Sequence, residues 1–299
     1  MYFVKFNNSL YKRQYGFRKG HSTIHPIIHL LNFLHDAKNN RPPHLSMGLF
    51  LDLSKAFDTI SHEILLSKLN NIGIRGISNN WLKSYLTNRK QYTEIYGKQS
   101  DTIPITCGVP QGSILGPLLF LIYINDIQNI PIESNVLSFA DDTTMFTTGI
   151  NLPNLYEKAN TDLQHIYEWL CANRLSLNVN KTKYMIFGGG NNLDNNNLKL
   201  QINNINIEHV SEKKQSKSIK FLGIYIDEKL TWKYHINHTN KKIAHATFGI
   251  NRVKHFFPLK TLKILYHTLV QPHLTYNMII WGNPNNAMTN KTFILQKRP

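Results

Sequence analysis

The run from Val136 to Thr148 sets two adjacent carboxylates, Asp141 and Asp142, in an apolar and hydroxyl-rich stretch whose composition suits two β-strands joined by a tight turn. Neighbouring carboxylates repel, so keeping both ionised in a half-buried turn costs free energy unless a cation or a donor group offsets it. A hard divalent cation is the usual offset, because Mg²⁺ takes one or two carboxylate oxygens and completes its shell with water and phosphate oxygens. An Asp-Asp pair alone is equally compatible with an ordinary turn, where Asp is favoured for backbone reasons. A third acid separates the two readings. Met47-Gly48-Leu49-Phe50-Leu51-Asp52-Leu53 has the length and composition of a buried strand, and Asp52 stands at its end. Two such strands side by side would gather Asp52, Asp141 and Asp142 into a cluster able to hold two metal ions for in-line phosphoryl or nucleotidyl transfer.

Between these acids lies Gly108-Val109-Pro110-Gln111-Gly112-Ser113-Ile114-Leu115-Gly116-Pro117, followed by the apolar stretch Leu118 to Ile124. Asp52 with Phe57 five positions on, then Gly-Val-Pro-Gln-Gly-Ser, then Phe-Ala-Asp-Asp, in that order, resembles motifs A, B and C of reverse transcriptases. The likeness is closest to those of non-LTR (LINE-type) retrotransposons. Gln14-Tyr15-Gly16-Phe17-Arg18-Lys19-Gly20-His21-Ser22-Thr23 resembles the family's fingers segment. Leu175-Ser176-Leu177-Asn178 with Asn180-Lys181-Thr182-Lys183 resembles motif D, and Lys220-Phe221-Leu222-Gly223-Ile224 resembles motif E, the primer grip. The likeness runs from Gln14 to Gly282. In the family an Arg-Pro-Ile-type stretch that holds the incoming triphosphate lies upstream of the Gln14 segment, and the residues before Gln14 do not contain it.

The resemblance implies an α+β, right-hand polymerase fold: an antiparallel palm sheet backed by helices, with a C-terminal helical thumb. It divides the chain into partial fingers (1–45), a palm with motifs A to D (46–190), primer-grip strands (191–235) and a basic helical thumb (236–299). It implies an RNA-directed DNA polymerase that uses two Mg²⁺ ions, with Mn²⁺ as a substitute, an RNA template, a DNA primer and dNTPs. Asp52, Asp141 and Asp142 would be catalytic metal ligands, joined by the backbone carbonyl of Leu53. Phe57 would sit beneath the incoming sugar as a steric gate against a 2′-hydroxyl, making the product DNA and opposing an RNA-directed RNA polymerase. Gln111 and Gly112 would lie beside the template base and nascent pair, and Arg18 would contact nucleotide or template phosphates. Lys181 would protonate departing pyrophosphate, with Lys183 near enough to take that part, and Phe221, Leu222 and Gly223 would grip the primer. The competing reading is a catalytically inactive relic that only binds nucleic acid.

Composition agrees with such a chain. With 299 residues, 41% hydrophobic and 17% charged, it can bury a substantial core. Its formal charge of +16 is uneven. Residues 1–150 hold 14 Lys and Arg against 10 acids, residues 151–299 hold 20 against 8, and after Glu228 there are 11 basic residues and no acid. A segment of one sign is suited to tracking a phosphate backbone. Cys107 and Cys171 form no ligand spacing and read as reduced thiols, and the 14 histidines show no zinc pattern. Neither a secretory signal nor an apolar run near the ~20 residues of a membrane span is present. An intracellular protein is expected, in nucleus or cytoplasm, with no membrane partner.

Periodicity predicts a helix after Ser22 and Thr23, one capped by Ser61 and stopped by Gly73, and one around Trp81 to Leu86. A hairpin through Tyr96-Gly97 follows, then helices over 113–127 and 153–174 and a strand over Lys183 to Phe187. Gly188 to Asn197 reads as a loop between subdomains, Leu198 to Tyr225 as short strands, and the chain from Thr239 onward as helices.

Overall fold

The computed structural model describes residues 10–188, 198–211, 213, 215–282 and 287–296. Its centre is a sheet of five strands. Three of them bring the runs that hold the acids: β1 (Leu45–Leu51), β6 (Asn135–Phe139) and β7 (Asp142–Gly149). With β8 (Lys183–Phe187) and β11 (Glu208–His209) they stand in the order β11-β8-β1-β7-β6. β1 runs antiparallel to both neighbours, pairing Leu51 with Thr143 and Leu49 with Tyr184. β1 is apolar almost throughout because both faces of the sheet are covered, so no polar alternation is needed.

Helices make the two covering layers. α1 (Ile24–Asn39) lays Ile27, Leu30 and Leu34 over one face, against Phe146, Met185 and Phe187. α2 (His62–Asn71), α4 (Leu115–Tyr123) and α5 (Leu152–Ala172) cover the other, where Leu65, Leu119, Leu163 and Leu170 meet Met47, Leu49 and Leu51. Each side chain of this size removed from water contributes about 1.5–3 kcal/mol. The Ser61 hydroxyl accepts the Ile64 N–H at the start of α2, and Gly73, with φ of 95°, follows its end. α3 (Ile77–Leu86) leads to two small ladders, β2 (Lys90–Gln91) with β5 (Ile103–Pro104) and β3 (Glu94–Ile95) with β4 (Lys98–Gln99). Tyr96 and Gly97 both take positive φ in the turn between β3 and β4, as a two-residue hairpin requires.

The expected helix over 113–127 is shorter: α4 ends at Tyr123, and Asn125–Asn129 forms a 3₁₀ turn. There Asp126 pairs with the Lys68 ammonium at 2.8 Å, so the chain leaves the α-helix where its acid is needed by α2. From Gly189 to Asn197 the expected inter-subdomain loop lies outside the described residues. After it come β9 (Gln201–Ile202), β10 (Ile205–Asn206), and the hairpin of β12 (Ile219–Phe221) and β13 (Ile224–Ile226). Among the described residues five helices follow: α6 (Lys233–Val253), α7 (Leu259–Leu269), α8 (Gln271–Thr275), α9 (Met278–Trp281) and α10 (Ala287–Gln296). α6 begins six residues before its expected start at Thr239. Fully buried Asp227 explains this, since its carboxylate accepts the Thr231 and Trp232 N–H groups at 2.9 and 3.0 Å and organises the turn into the helix. Among the described residues no helix is long and apolar enough to cross a membrane.

Candidate active site

β6 and β7 are joined by a two-residue turn, Ala140-Asp141, because Phe139 pairs with Asp142 across it. Asp141 therefore sits on the turn and Asp142 opens β7. β1 ends beside them: continuing the Leu51 to Thr143 register by one residue brings Asp52 opposite Asp142. The three acids expected to act together are thus gathered at one end of the sheet by strand pairing alone. The Asp142 carboxyl is pushed above the ordinary carboxylate range, first by partial loss of solvent, then by the charges of Asp141 and Asp52, while Lys220 acts in the opposite direction. Among the described residues no set of three acids, histidines or cysteines closes to a preformed metal cage.

The backbone at Asp52 is tied down from the Leu175 segment. Its N–H donates to the Thr182 hydroxyl at 3.3 Å, and its carbonyl accepts the Asn178 N–H at 2.8 Å. Leu53 bridges Leu177, and the Ser54 N–H donates to Ser176 at 2.8 Å. The same segment carries the two candidate acids for pyrophosphate. Lys183 is ion-paired with Glu208 at 2.9 Å, whereas Lys181 is exposed and makes no ion pair among the described residues.

Phe57 stacks on Phe120 with ring centroids 4.3 Å apart and meets Phe17 edge-on at 6.2 Å. Its backbone carbonyl accepts the Val109 N–H at 3.0 Å, which links the Asp52 segment to the Gly108–Pro117 loop. In that loop Gln111 donates to the Asp58 carboxylate at 2.7 Å. Gly112 has φ of 78° with open space where a Cβ would stand, so its need for glycine is conformational. Gln111 lines a cleft of about 610 Å³ with Lys55, Asp58 and Arg89. A second cleft, of about 300 Å³, brings Asp142 together with Lys220, Phe221, Leu222 and Gly223. The expected primer-grip residues therefore flank the acids. Phe221 turns inward against Phe50 at 5.3 Å, and Leu222 and Gly223 form the turn, with the Tyr276 hydroxyl donating to the Leu222 carbonyl at 2.8 Å.

Two side chains near the acids stand in segments singled out in the sequence but were given no individual role there. Lys220 is exposed between buried Ile219 and Phe221, and the period of two in β12 signals that it faces solvent on the cleft side. Gln14 has no such local signal. It is 3% exposed and lies beside Ser138 at the edge of β6, where its side chain reaches the Asp141 turn. Arg18 donates through Nη1 to the carbonyls of Tyr11 and Gln14, each at 3.0 Å.

Comparison with known proteins decides the family. The model of the reverse transcriptase (RNA-dependent DNA polymerase) family matches residues 3–226. The chain belongs to that family. It is 28% identical to the RNA-directed DNA polymerase from mobile element jockey of Drosophila melanogaster, over 96% of this chain and 31% of that protein. It is also 28% identical to the probable RNA-directed DNA polymerase from transposon BS of the same species, over 95% and 32% respectively. This reverse transcriptase-family chain thus spans about a third of the length of those relatives. A telomerase from Candida albicans, solved with a fragment of telomeric RNA, aligns with TM-score 0.49 and 11% identity over 90% of this chain and 51% of its own.

Proposed function

We propose that the chain carries the nucleotidyl-transfer centre of an RNA-directed DNA polymerase from a non-LTR retrotransposon, adding dNTPs to a primer 3′-hydroxyl on an RNA template. The observation that carries this reading is the antiparallel pairing of β1 with β7, which sets Asp52 against the Asp141-Asp142 turn. The donor set fits Mg²⁺ or Mn²⁺: every candidate ligand is a hard oxygen, and the mutual repulsion felt at Asp142 makes the spot favourable to a cation. Asp52 and Asp141 would be the main ligands, with Asp142 and the Leu53 carbonyl beside them. When bound, two such ions supply neutralisation of the triphosphate and a lowered pKa for the primer hydroxyl.

The chain's own residues orient the partners. Phe57, fixed by its stack on Phe120, bounds the space for the sugar and excludes a 2′-hydroxyl. Gln111 and the open backbone at Gly112 lie against the templating base. Lys181 gives a proton to the departing pyrophosphate, Lys183 being committed to Glu208. Leu222 and Gly223, on the turn that inward-facing Phe221 anchors, hold the primer end beside Asp142, and the helical segment after Glu228, which has no acid, follows the phosphates of the duplex.

Primer extension on an RNA template with dNTPs and Mg²⁺ tests the reading, with the Asp141→Asn variant alongside. Extension by the parent and loss of at least a thousandfold in the variant is the expected result. No extension by either, with salt-sensitive RNA binding retained by both, would favour a chain that only binds nucleic acid.

A further inference from the structure

The turn that carries Asp141 is unusual in its backbone. Ala140 has φ of 56°, a left-handed conformation that is unfavourable for a residue with a Cβ. Its energy must be offset locally, and the offset comes from 126 residues away. The Gln14 carboxamide oxygen accepts the Ala140 N–H at 3.0 Å and the Gly16 N–H at 2.8 Å, while its nitrogen donates to the Ala140 carbonyl at 3.4 Å. The N–H and the carbonyl of the left-handed residue are therefore both held by one buried side chain.

The segment around Gln14 is itself clamped to the strand. The Tyr15 N–H donates to Ser138 at 2.8 Å, and the Ser138 N–H donates to Arg13 at 3.0 Å. Arg18 braces the Gln14 carbonyl from behind. Gly16 lies so close that a Cβ there would stand 2.2 Å from the Ala140 nitrogen, which makes glycine obligatory for the approach. The segment that resembles the family's fingers thus also contacts the backbone of the turn that carries the acids.

We infer that Gln14 is a positioning residue, whose carboxamide locks Ala140 in its left-handed conformation and thereby fixes the spacing of Asp141 and Asp142 against Asp52. The inference rests on the polymerase reading for its catalytic consequence but not for the tether itself. A buried Gln could instead serve stability alone, leaving the carboxylates equally well placed without it. The two roles give different measurements.

The test compares the parent with Gln14→Met, which keeps the length and bulk but removes the carboxamide, and with Gln14→Glu, which keeps the accepting oxygen. Amide hydrogen exchange at Ala140 reads the tether, and Mn²⁺ titration of the protein without nucleic acid reads the carboxylates. Gln14→Met is expected to exchange at Ala140 at least tenfold faster and to bind Mn²⁺ about tenfold more weakly. In extension assays kcat should fall by more than tenfold while the dNTP KM changes by less than threefold. Gln14→Glu is expected to restore Ala140 protection and Mn²⁺ affinity to within about threefold of the parent. If Gln14→Met matches the parent in exchange and Mn²⁺ affinity while only its melting temperature falls, the role is structural and the inference is overturned. Should Gln14→Met not fold, loss of Ala140 protection or of Mn²⁺ affinity in a folded Gln14→Glu overturns it. Should the parent bind Mn²⁺ no better than Asp141→Asn, the polymerase reading fails, and exchange at Ala140 still decides whether Gln14 holds the turn.

Discussion

Phe57 is confined on two sides, by Phe120 in a near-parallel stack and by Phe17 at its edge. A ring held in this way has little freedom to yield to an added hydroxyl, which is what discrimination between sugars demands. Phe57→Val would remove the ring and part of an aromatic contact worth about 0.5–1.5 kcal/mol. The expected outcome is a rise of about tenfold to a hundredfold in rNTP incorporation relative to dNTP, with a melting temperature only slightly lower. Competitive single-nucleotide incorporation measures it, and unchanged selectivity would reduce Phe57 to a packing residue. Asp52, Asp141, Asp142 and Gln111 were singled out by motif order, and strand pairing brings Asp52 opposite Asp142. Gln14 and Lys220 stood in recognised segments but received no individual role, because their neighbours come from distant parts of the chain, Gln14 by a contact across 126 positions and Lys220 by sharing a cleft with Asp142.

Elements whose local chemistry is complete within a few residues were legible in the sequence. The Ser61 cap, the Tyr96-Gly97 turn and the strand at Lys183 to Phe187 all follow from neighbours in sequence. The start of α6 was not legible, because the turn leading into it is organised by Asp227, which accepts the Thr231 and Trp232 N–H groups, with Trp232 at φ of 61°. α6 also buries a base. His235 packs its ring against Trp281, and burial chiefly, with His238 and Lys242 after it, holds its imidazole down to about 4 from 6.5. Below pH 6.5 the unfolded chain binds a proton that the folded chain refuses, so stability falls as pH drops towards 4 and levels off beneath it. At 1.36 kcal/mol per pKa unit the loss is on the order of 3 kcal/mol. His235→Phe should flatten this part of the melting-temperature profile, and an unaltered slope in the variant would assign the acid sensitivity to other groups.

Across the whole molecule, charge and chemistry are segregated. The acids gather at one end of the central sheet, while the 71 residues after Glu228 carry 11 basic side chains and no acid. Lys241 and Lys242 are exposed on α6 and available to phosphate. Replacing both by Ala should weaken binding to a primer–template duplex and lower the slope of log affinity against log salt by about 1–2, since each neutralised phosphate contributes about 0.9. Equal slopes for parent and variant would remove α6 from the nucleic-acid surface. The central claim concerns the end of the sheet where strand pairing makes Asp52 a partner of the Asp141-Asp142 turn. Single-turnover addition of one dNTP to an RNA-templated primer, by the parent and by Asp52→Asn, tests it most directly. The account predicts a loss of at least a thousandfold in rate with RNA affinity within twofold of the parent; an Asn variant that extends the primer within tenfold of an active parent would contradict it.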